Sequence, residues 1–171
     1  PARPRNRPVL GREVGAVSGK HTLSVLVENK PGVLTRVSAL FTRRGFNIHS
    51  LAVGPTEHED VSRITVIADA EGLAMEQVTK QLNKLVEVVK VVDLNESRFV
   101  ERELMLVKLR AAGKDRDEFL RLTEIYRGSV VDVTDRSYTI EITGSSEKLD
   151  SFLETVGRAQ ILETVRTGAA G

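Results

Sequence analysis

The chain of 171 residues contains no cysteine and no tryptophan, and aromatic residues make up only 4% of it. Without cysteine there are no disulfides, thiolate metal sites or cysteine nucleophiles. Without many aromatic residues, a core must be built from Val, Leu, Ile and Ala. No apolar run approaches the roughly 18 residues that span a membrane, and no signal-peptide segment is recognisable, so we expect a cytoplasmic protein.

The sequence also lacks the motifs that carry catalysis. Glycines are scattered singly, which excludes Walker-type and dinucleotide-binding loops, and no serine lies in a Gly-x-Ser-x-Gly elbow. His21, His49 and His58 have no partner at metal-ligand spacing. The acidic segment 57–60 is explained more simply as a solvated hairpin tip than as a cation site. We therefore expect no catalytic residue and no metal site in this chain.

Positive charge is concentrated in the first twenty residues. The chain carries a net charge of +1, but residues 1–20 hold five basic residues and one acidic residue, so residues 21–171 carry −3. A basic arm can bind nucleic acid or an acidic partner. The simpler interpretation, which we favour, is a short disordered tail in which prolines block regular structure.

The hydrophobic pattern from residue 22 onward predicts an α+β fold built from one unit written twice. Alternating apolar residues predict strands, and apolar residues at spacings of three and four predict helices. The first unit has predicted strands at about 22–27, 46–54, 61–68 and 86–92 and helices at about 33–44 and 73–85. The order β-α-β-β-α-β is that of a ferredoxin-like domain with both helices on one face of an antiparallel sheet.

The same order repeats about 82 residues later, a period typical of whole domains. The second unit has predicted strands at about 103–109, 130–133, 138–142 and 160–165 and a helix at about 114–126. A further helix is capped by Ser145 or Ser146 and contains Leu149, Phe152, Leu153 and Val156. We predict a basic tail at 1–20, a first domain at 21–95, a second at 96–167 and a C-terminal end at 168–171. The uncovered face of each sheet suits pairing with a partner, so we expect a dimer.

The segment Glu28–Leu34 joins the first strand to the first helix. Pro31 suits the first helical position, because its fixed φ fits there and its missing N–H is no loss. Gly32 permits close approach of a ligand, and the amides that follow lie at a positive helix end that suits a carboxylate. The alternative is that Asn29 and Gly32 only form a stable turn and helix start.

A second polar position follows the first helix. Gly45 is predicted to end the helix in a left-handed conformation. Phe46 and Ile48 then point to one face, and Asn47 points to the other. Asn47 is either satisfied by neighbouring backbone or presents its amide group to a ligand. Together with Asn29 it suggests a small polar site.

The chain resembles ACT domains and, more narrowly, the family of small regulatory subunits of acetohydroxyacid synthase (acetolactate synthase). The likeness covers about residues 21–168 and rests on an ordered set of segments in both units. These segments are Leu23–Val37, Arg43–Leu51, Gln81–Leu85, Val100–Leu104, Thr123–Arg127 and Val131–Thr134.

The resemblance implies a subunit without an active site of its own that binds a separate catalytic subunit. That partner would carry thiamine diphosphate, Mg²⁺ and FAD. Binding would raise its activity and make it subject to feedback inhibition by valine, or in some relatives by leucine or isoleucine. Branched-chain amino-acid synthesis would thereby be controlled. The second domain is expected to help with dimerisation and signal transfer.

In relatives the effector lies at the interface of two paired ACT domains. Carried over to this sequence, the effector-binding residues of one chain are Asn29, Gly32, Val33 and Leu34, and those of the other are Asn47 and Ile48. Backbone amides would hold the carboxylate, the Asn side chains would meet the charged ends, and Val33, Leu34 and Ile48 would line an apolar pocket. The loop departs from bacterial relatives at Pro31, where they commonly carry Ser, and so lacks one amide.

Two other functions compete with this interpretation. One is a free-standing amino-acid sensor without an enzyme partner. The other is a nucleic-acid-binding regulator that uses the Arg-rich tail, since paired βαββαβ units also occur in such proteins. The acidic balance of the remaining chain argues against nucleic acid as a partner.

Overall fold

The computed structural model describes residues 19–69 and 72–171, so the predictions made for residues 1–18 lie outside the described residues. Within these residues the chain forms eight strands and four α-helices in the predicted order. The first unit consists of β1 (Lys20–Glu28), α1 (Val33–Arg43), β2 (Ile48–Pro55), β3 (Val61–Asp69), α2 (Gly72–Leu82) and β4 (Val88–Asp93). The second consists of β5 (Glu103–Arg110), α3 (Asp115–Ile125), β6 (Ser129–Val133), β7 (Ser137–Gly144), α4 (Ser146–Val156) and β8 (Ile161–Arg166).

Each unit forms its own four-stranded antiparallel sheet. The strand order is β2-β3-β1-β4 in the first sheet and β6-β7-β5-β8 in the second. The prediction of two βαββαβ ferredoxin-like units is therefore confirmed. None of the helices within the described residues combines the length and the apolar composition needed to cross a membrane.

The core of the first unit lies between its sheet and its two helices. The alternating residues Leu23, Val25 and Val27 of β1 are at most 2% exposed, and Val25 pairs with Ile64 of β3. The residues that α1 contributes to this core are Val33, Val37 and Phe41. Spacings of four place all three on one side of the helix, which packs against the sheet.

The second unit repeats this arrangement. Met105, Val107 and Leu109 of β5 are fully buried, as are Leu149 and Phe152 of α4. Tyr126 packs edge-on against Phe152, with ring centroids 5.2 Å apart. The aliphatic core predicted from the composition is therefore reinforced by one aromatic pair.

The predicted end of α1 and start of α4 are confirmed, whereas the predicted end of α2 is wrong. Gly45 has φ 73°, and the Ser145 hydroxyl accepts a hydrogen bond from the Lys148 amide at the start of α4. Helix α2, however, ends at Leu82 rather than near Leu85. Leu85 still packs against the core, but it does so from a turn, in which its amide donates to the Leu82 carbonyl.

The face of the first sheet opposite its helices is not fully open, which corrects the expectation that each unit leaves this face uncovered. Thr22, Ser24 and Thr65 lie on this face and are 6%, 1% and 2% exposed. The segment after β4 stays alongside β1, because the Thr22 amide donates to Asn95 Oδ1 at 2.7 Å. Residues 167–171, here called the C-terminal strap, cover part of this face, where the Gly171 amide donates to Thr65 Oγ1 at 3.4 Å.

Candidate functional site

The loop before α1 is a tight turn. Gly32 has φ 83° and ψ −8°, and the Val33 amide donates to the Lys30 carbonyl at 3.4 Å. A left-handed residue in the third position and Pro in the second are typical of a type II turn. Pro31 therefore lies in the turn, and the prediction that it is the first helical residue is wrong. Because Gly32 adopts a conformation that a helix cannot contain, α1 begins only at Val33.

This turn leaves donors at the positive end of α1. Within the described residues, neither the backbone nor a side chain accepts a hydrogen bond from the amides of Gly32, Leu34 and Thr35. Unpaired amides at a helix N-terminus carry a partial positive charge. The geometry therefore suits a carboxylate or another small anion.

The two apolar residues at this helix start have different environments. The side chain of Val33 is 3% exposed and belongs to the core cluster, whereas Leu34 is 41% exposed. Val33 can thus offer a ligand its backbone but not its side chain. Leu34 offers an apolar surface beside the unpaired amides.

Asn29 connects this loop to the hairpin between β2 and β3. Its backbone amide donates to the Asp60 carbonyl at 2.7 Å, and its Nδ2 donates to the Glu59 carbonyl at 3.2 Å. The Asn29 side chain thus bonds to the backbone of the hairpin, 30 residues further along the chain, and not to the backbone of its own turn. These contacts hold the side chain against the hairpin.

Asn47 and Ile48 lie at the other end of the same helix. Glu28, at the end of β1, pairs with Val61, whereas Ile48 pairs with Ala68 at the far end of β3. The 11 residues of α1 span about 16 Å between these ends. The two groups of candidate residues therefore do not face each other within one chain, and a shared site requires two chains.

Asn47 and Ile48 have different environments. Asn47 is exposed, and its carbonyl accepts a hydrogen bond from the Asp69 amide at 3.1 Å. Ile48 is half-buried and packs against the core. Asn47 thus keeps a side-chain amide at the surface, while Ile48 presents part of its side chain.

The charged residues beside the loop are already paired. Lys30 Nζ lies 2.6 Å from Glu28 Oε2, and Arg36 forms an ion pair with Glu87. A carboxylate ligand would therefore be bound mainly by backbone amides. Such a site binds an anion through backbone amides and does not require a cationic side chain.

The three histidines have structural or exposed positions. His21 Nδ1 lies 3.3 Å from Asp93 Oδ2 and His49 Nε2 lies 2.5 Å from Asp69 Oδ2, while the His58 side chain is 74% exposed. In the part of the chain that the structure describes, no three His, Asp or Glu side chains are arranged to hold a metal ion. Glu57, Glu59 and Asp60 are exposed at the hairpin tip, as predicted for a solvated loop.

Two depressions lie away from the candidate residues. One of about 200 Å³ lies between α1 and α2 and is lined by Leu40, Arg43, Arg44, Val78 and Gln81. The other, of about 340 Å³, lies between the two units next to the C-terminal strap. Neither contains any of the six predicted effector-binding residues.

Comparison with known proteins gives consistent matches over both units. The family described as AHAS small subunit-like ACT domain matches residues 23–90, and the family described as small subunit of acetolactate synthase matches residues 102–171. The probable acetolactate synthase small subunit of Archaeoglobus fulgidus is 50% identical over 149 residues, which cover 87% of this chain and 93% of that protein. The acetolactate synthase small subunit of Mycolicibacterium smegmatis is 51% identical over 148 residues, covering 86% and 87%.

A solved structure supports the same relationship. The crystal structure of the acetolactate synthase small subunit from Thermotoga maritima superimposes with a TM-score of 0.81 and 44% sequence identity. The match covers 88% of this chain and 94% of that chain. The similarity therefore extends over both units.

Proposed function

Because the chain belongs to the family of acetolactate synthase small subunits, we propose that it is the non-catalytic regulatory subunit of an acetolactate synthase. It raises the activity of a separate catalytic subunit and makes that subunit subject to feedback inhibition by valine. Leucine and isoleucine are the alternative effectors. The complex acts in the cytoplasm in branched-chain amino-acid biosynthesis.

The proposal divides the chemistry between two chains. A small subunit implies a catalytic subunit as its partner. In the proposal, that partner holds thiamine diphosphate, Mg²⁺ and FAD, and this chain holds none of them. Its own residues bind the effector and alter the conformation of the complex.

The observation that carries the proposal is the turn before α1. Its amides of Gly32, Leu34 and Thr35 have no acceptor among residues 19–69 and 72–171 and lie beside the exposed side chain of Leu34. An amino acid with a branched aliphatic side chain has a carboxylate for the amides and an apolar group for Leu34. Pockets of this kind discriminate one methylene by only about 1–3 kcal/mol, so leucine and isoleucine compete with valine.

A second copy of the chain completes the proposed site. Asn47 and Ile48 of the partner protomer lie opposite the loop, where the Asn47 side-chain oxygen accepts from the ligand ammonium. This arrangement agrees with the separation of the two residue groups by the length of α1 within one chain. It requires a homodimer through the first domains.

A site between two chains also gives a mechanism of control. A ligand shifts a conformational equilibrium only by binding one state more tightly than another. In the proposal the dimer has two geometries, and valine contacts both protomers in only one of them. Binding of valine therefore favours that geometry. The catalytic subunit responds because its affinity for the two geometries differs, and the coupling is reciprocal.

The first experiment is thermal unfolding of the purified chain with and without amino acids. At valine concentrations near 100 times Kd, binding stabilises the folded state by about 2.7 kcal/mol, which corresponds to a rise in Tm of about 5–10 °C. Asn29→Ala weakens this shift, because the loop loses its tie to Glu59. Asn83→Ala, at an exposed position after α2, is the matched control and leaves the shift unchanged.

The second experiment is reconstitution of the catalytic subunit with this chain, titrated with valine. We expect higher activity without valine and lower activity as valine is added. A chain that binds valine but does not change catalytic activity would instead be a free-standing amino-acid sensor. If valine, leucine and isoleucine all leave the Tm unmoved, the effector assignment is wrong.

A further inference from the structure

The C-terminal strap connects the two units through hydrogen bonds. Ala170 and Arg102 exchange two backbone hydrogen bonds of 2.9 Å each. The Ala169 amide donates to Ser50 Oγ at 2.8 Å, and the Gly171 amide donates to Thr65 Oγ1 at 3.4 Å. The strap is therefore bound on one side to the second unit and on the other to the sheet of the first.

The contact with the first sheet is closely packed. Ala169 is 1% exposed. A Cβ on Gly168 would lie 2.9 Å from Ser50 Oγ and 3.1 Å from the Leu51 carbonyl oxygen, and Gly168 has φ +81°. A glycine at this position thus permits both the left-handed backbone and the close approach of the strap to β2.

The strap is also fixed to the second unit. The Thr167 amide donates to the Leu104 carbonyl at 3.1 Å, and the Leu104 amide donates to Thr167 Oγ1 at 3.1 Å. The preceding residue, Arg166, binds the buried carboxylate of Glu103. The strap therefore links β5 and β8 of the second unit to Ser50 of the first.

Ser50 lies next to an irregularity of β2. The register of β2 with β3 shifts between Ile48 and Ser50, so His49 is the extra residue of a β-bulge. A bulge sets the direction of the residues around it. The hydrogen bond from Ala169 thus fixes one side of the bulge, and the proposed effector residues Asn47 and Ile48 lie on the other.

We propose that Ser50 and Gly168 are positioning residues for the effector site. By holding the bulge of β2, the strap sets the position of Asn47 and Ile48, so the second unit takes part in effector binding without contacting the effector. This inference rests on the proposed function, because it assigns a role in the site described there. It adds two residues outside that site, Ser50 in β2 of the first unit and Gly168 in the C-terminal strap.

The test is calorimetric titration of the full-length chain with valine, with thermal unfolding of each variant measured without valine. Gly168→Ala forces the strap away from Ser50, and we expect its Kd for valine to rise by at least about fivefold, the lower end of typical coupling between sites. The matched control is Gly157→Ala. Gly157 has φ +84° but open space around its Cβ position, so its Kd stays within about twofold of the wild type.

A pair of Ser50 variants separates positioning from general stability. Ser50→Ala removes the acceptor of the Ala169 amide and raises Kd, while Ser50→Thr keeps the hydroxyl and restores binding. Ser129→Ala, at an exposed position of β6, controls for the loss of a serine from a strand. If Gly168→Ala does not fold, the Ser50 pair decides the question.

The outcomes are distinct. Wild-type affinity in folded Gly168→Ala and Ser50→Ala overturns the positioning role and leaves the proposed function intact. Equal losses in Gly168→Ala and Gly157→Ala also overturn it, because they indicate a general effect of backbone strain. If the wild-type chain binds none of the three branched-chain amino acids, the effector assignment fails, and the positioning role fails with it.

Discussion

The guanidinium of Arg166 donates hydrogen bonds to both carboxylate oxygens of Glu103: Nε lies 3.0 Å from Oε1, and Nη2 lies 2.6 Å from Oε2. The Glu103 side chain is only 6% exposed and also accepts a hydrogen bond from the Ser146 hydroxyl. Arg166 additionally binds Asp150 at 2.5 Å. This cluster joins β5, α4 and β8 at the point where the C-terminal strap begins.

Arg166→Ala is expected to destabilise the chain by about 3 kcal/mol. Removing one partner of a buried ion pair leaves the other charge without compensation, which costs far more than the pair contributes as a whole. Urea unfolding monitored by circular dichroism measures the change. The control is Lys80→Ala, which breaks the exposed pair with Glu76 and should cost no more than about 0.5 kcal/mol. Similar losses of unfolding free energy in both variants would show that the buried Arg166–Glu103 pair matters no more to stability than an exposed pair.

The same cluster predicts how stability depends on pH. Burial is the largest single influence on the pKa of Glu103 and acts to raise it. The hydrogen bonds from Arg166, Ser146 and the Gly168 backbone, together with the charge of Arg166, outweigh burial and lower the pKa below its ordinary value of 4.5. The stability that this carboxylate contributes is therefore complete above about pH 4.5 and is lost as the pH falls through the lowered pKa.

Glu103→Gln tests this linkage. The variant should be less stable than the wild type at pH 7, and the difference should shrink as the pH falls from 4.5 toward 3, because the wild-type carboxyl also becomes neutral there. Unfolding midpoints in urea across this pH range give the comparison. A difference that stays constant with pH would contradict the assignment.

The carboxyl of Glu101 should affect the pH dependence of stability in the opposite direction. Burial is the main cause that raises the pKa of Glu101, and the nearby carboxylates of Glu147 and Glu103 raise it further. A carboxyl with a raised pKa loses stability as the pH rises through that pKa. Glu101→Gln should therefore raise the Tm at pH 7, with no gain at pH 4, where the wild-type carboxyl is largely protonated. A lower Tm at pH 7 would count against this reading.

Gly128→Ala should destabilise the chain by about 1–3 kcal/mol. A Cβ at this position would lie 2.8 Å from the Glu141 carbonyl oxygen and 2.8 Å from Ile142 Cγ1. Since one of these is a backbone atom of β7, the neighbours do not move aside easily. Gly54→Ala, where nothing lies within 4 Å of a Cβ, should change the free energy of unfolding by less than about 0.5 kcal/mol. Chemical denaturation compares the two.

The periodic parts of the fold could be predicted from the sequence because local patterns determine them. The alternation of Leu23, Val25 and Val27 identified the buried face of β1, and Gly45 and Ser145 marked the end of α1 and the start of α4. Each of these signals depends on residues close together in the chain, where propensity and packing agree. The turn at Pro31 could not be distinguished from a helix start, because a Pro with φ near −65° fits both a first helical position and a type II turn.

The C-terminal strap could not be predicted in this way. The residues from Gly168 to Gly171 are small and carry no hydrophobic period, so the sequence indicated only a chain end. Their position depends on Ser50, which lies 119 residues earlier than Ala169. Likewise, 63 residues separate Glu103 from Arg166. Contacts of this range follow from tertiary packing, which local patterns do not encode.

Val33 and Leu34 are adjacent at the start of α1. Substitutions at these two residues should affect folding and effector binding differently. Val33 is 3% exposed in the core, so Val33→Ala should lower the free energy of unfolding by about 2 kcal/mol. Its intrinsic affinity for valine should change little, because in the proposed site Val33 contributes only its backbone. Leu34 is 41% exposed, so Leu34→Ala should leave stability within about 0.5 kcal/mol of the wild type. Its Kd for valine should nevertheless rise by about tenfold, since an apolar contact worth about 1–3 kcal/mol is lost. Urea unfolding without valine and calorimetric titration with valine measure the two quantities on each variant. Wild-type affinity in Leu34→Ala would exclude Leu34 from the effector site.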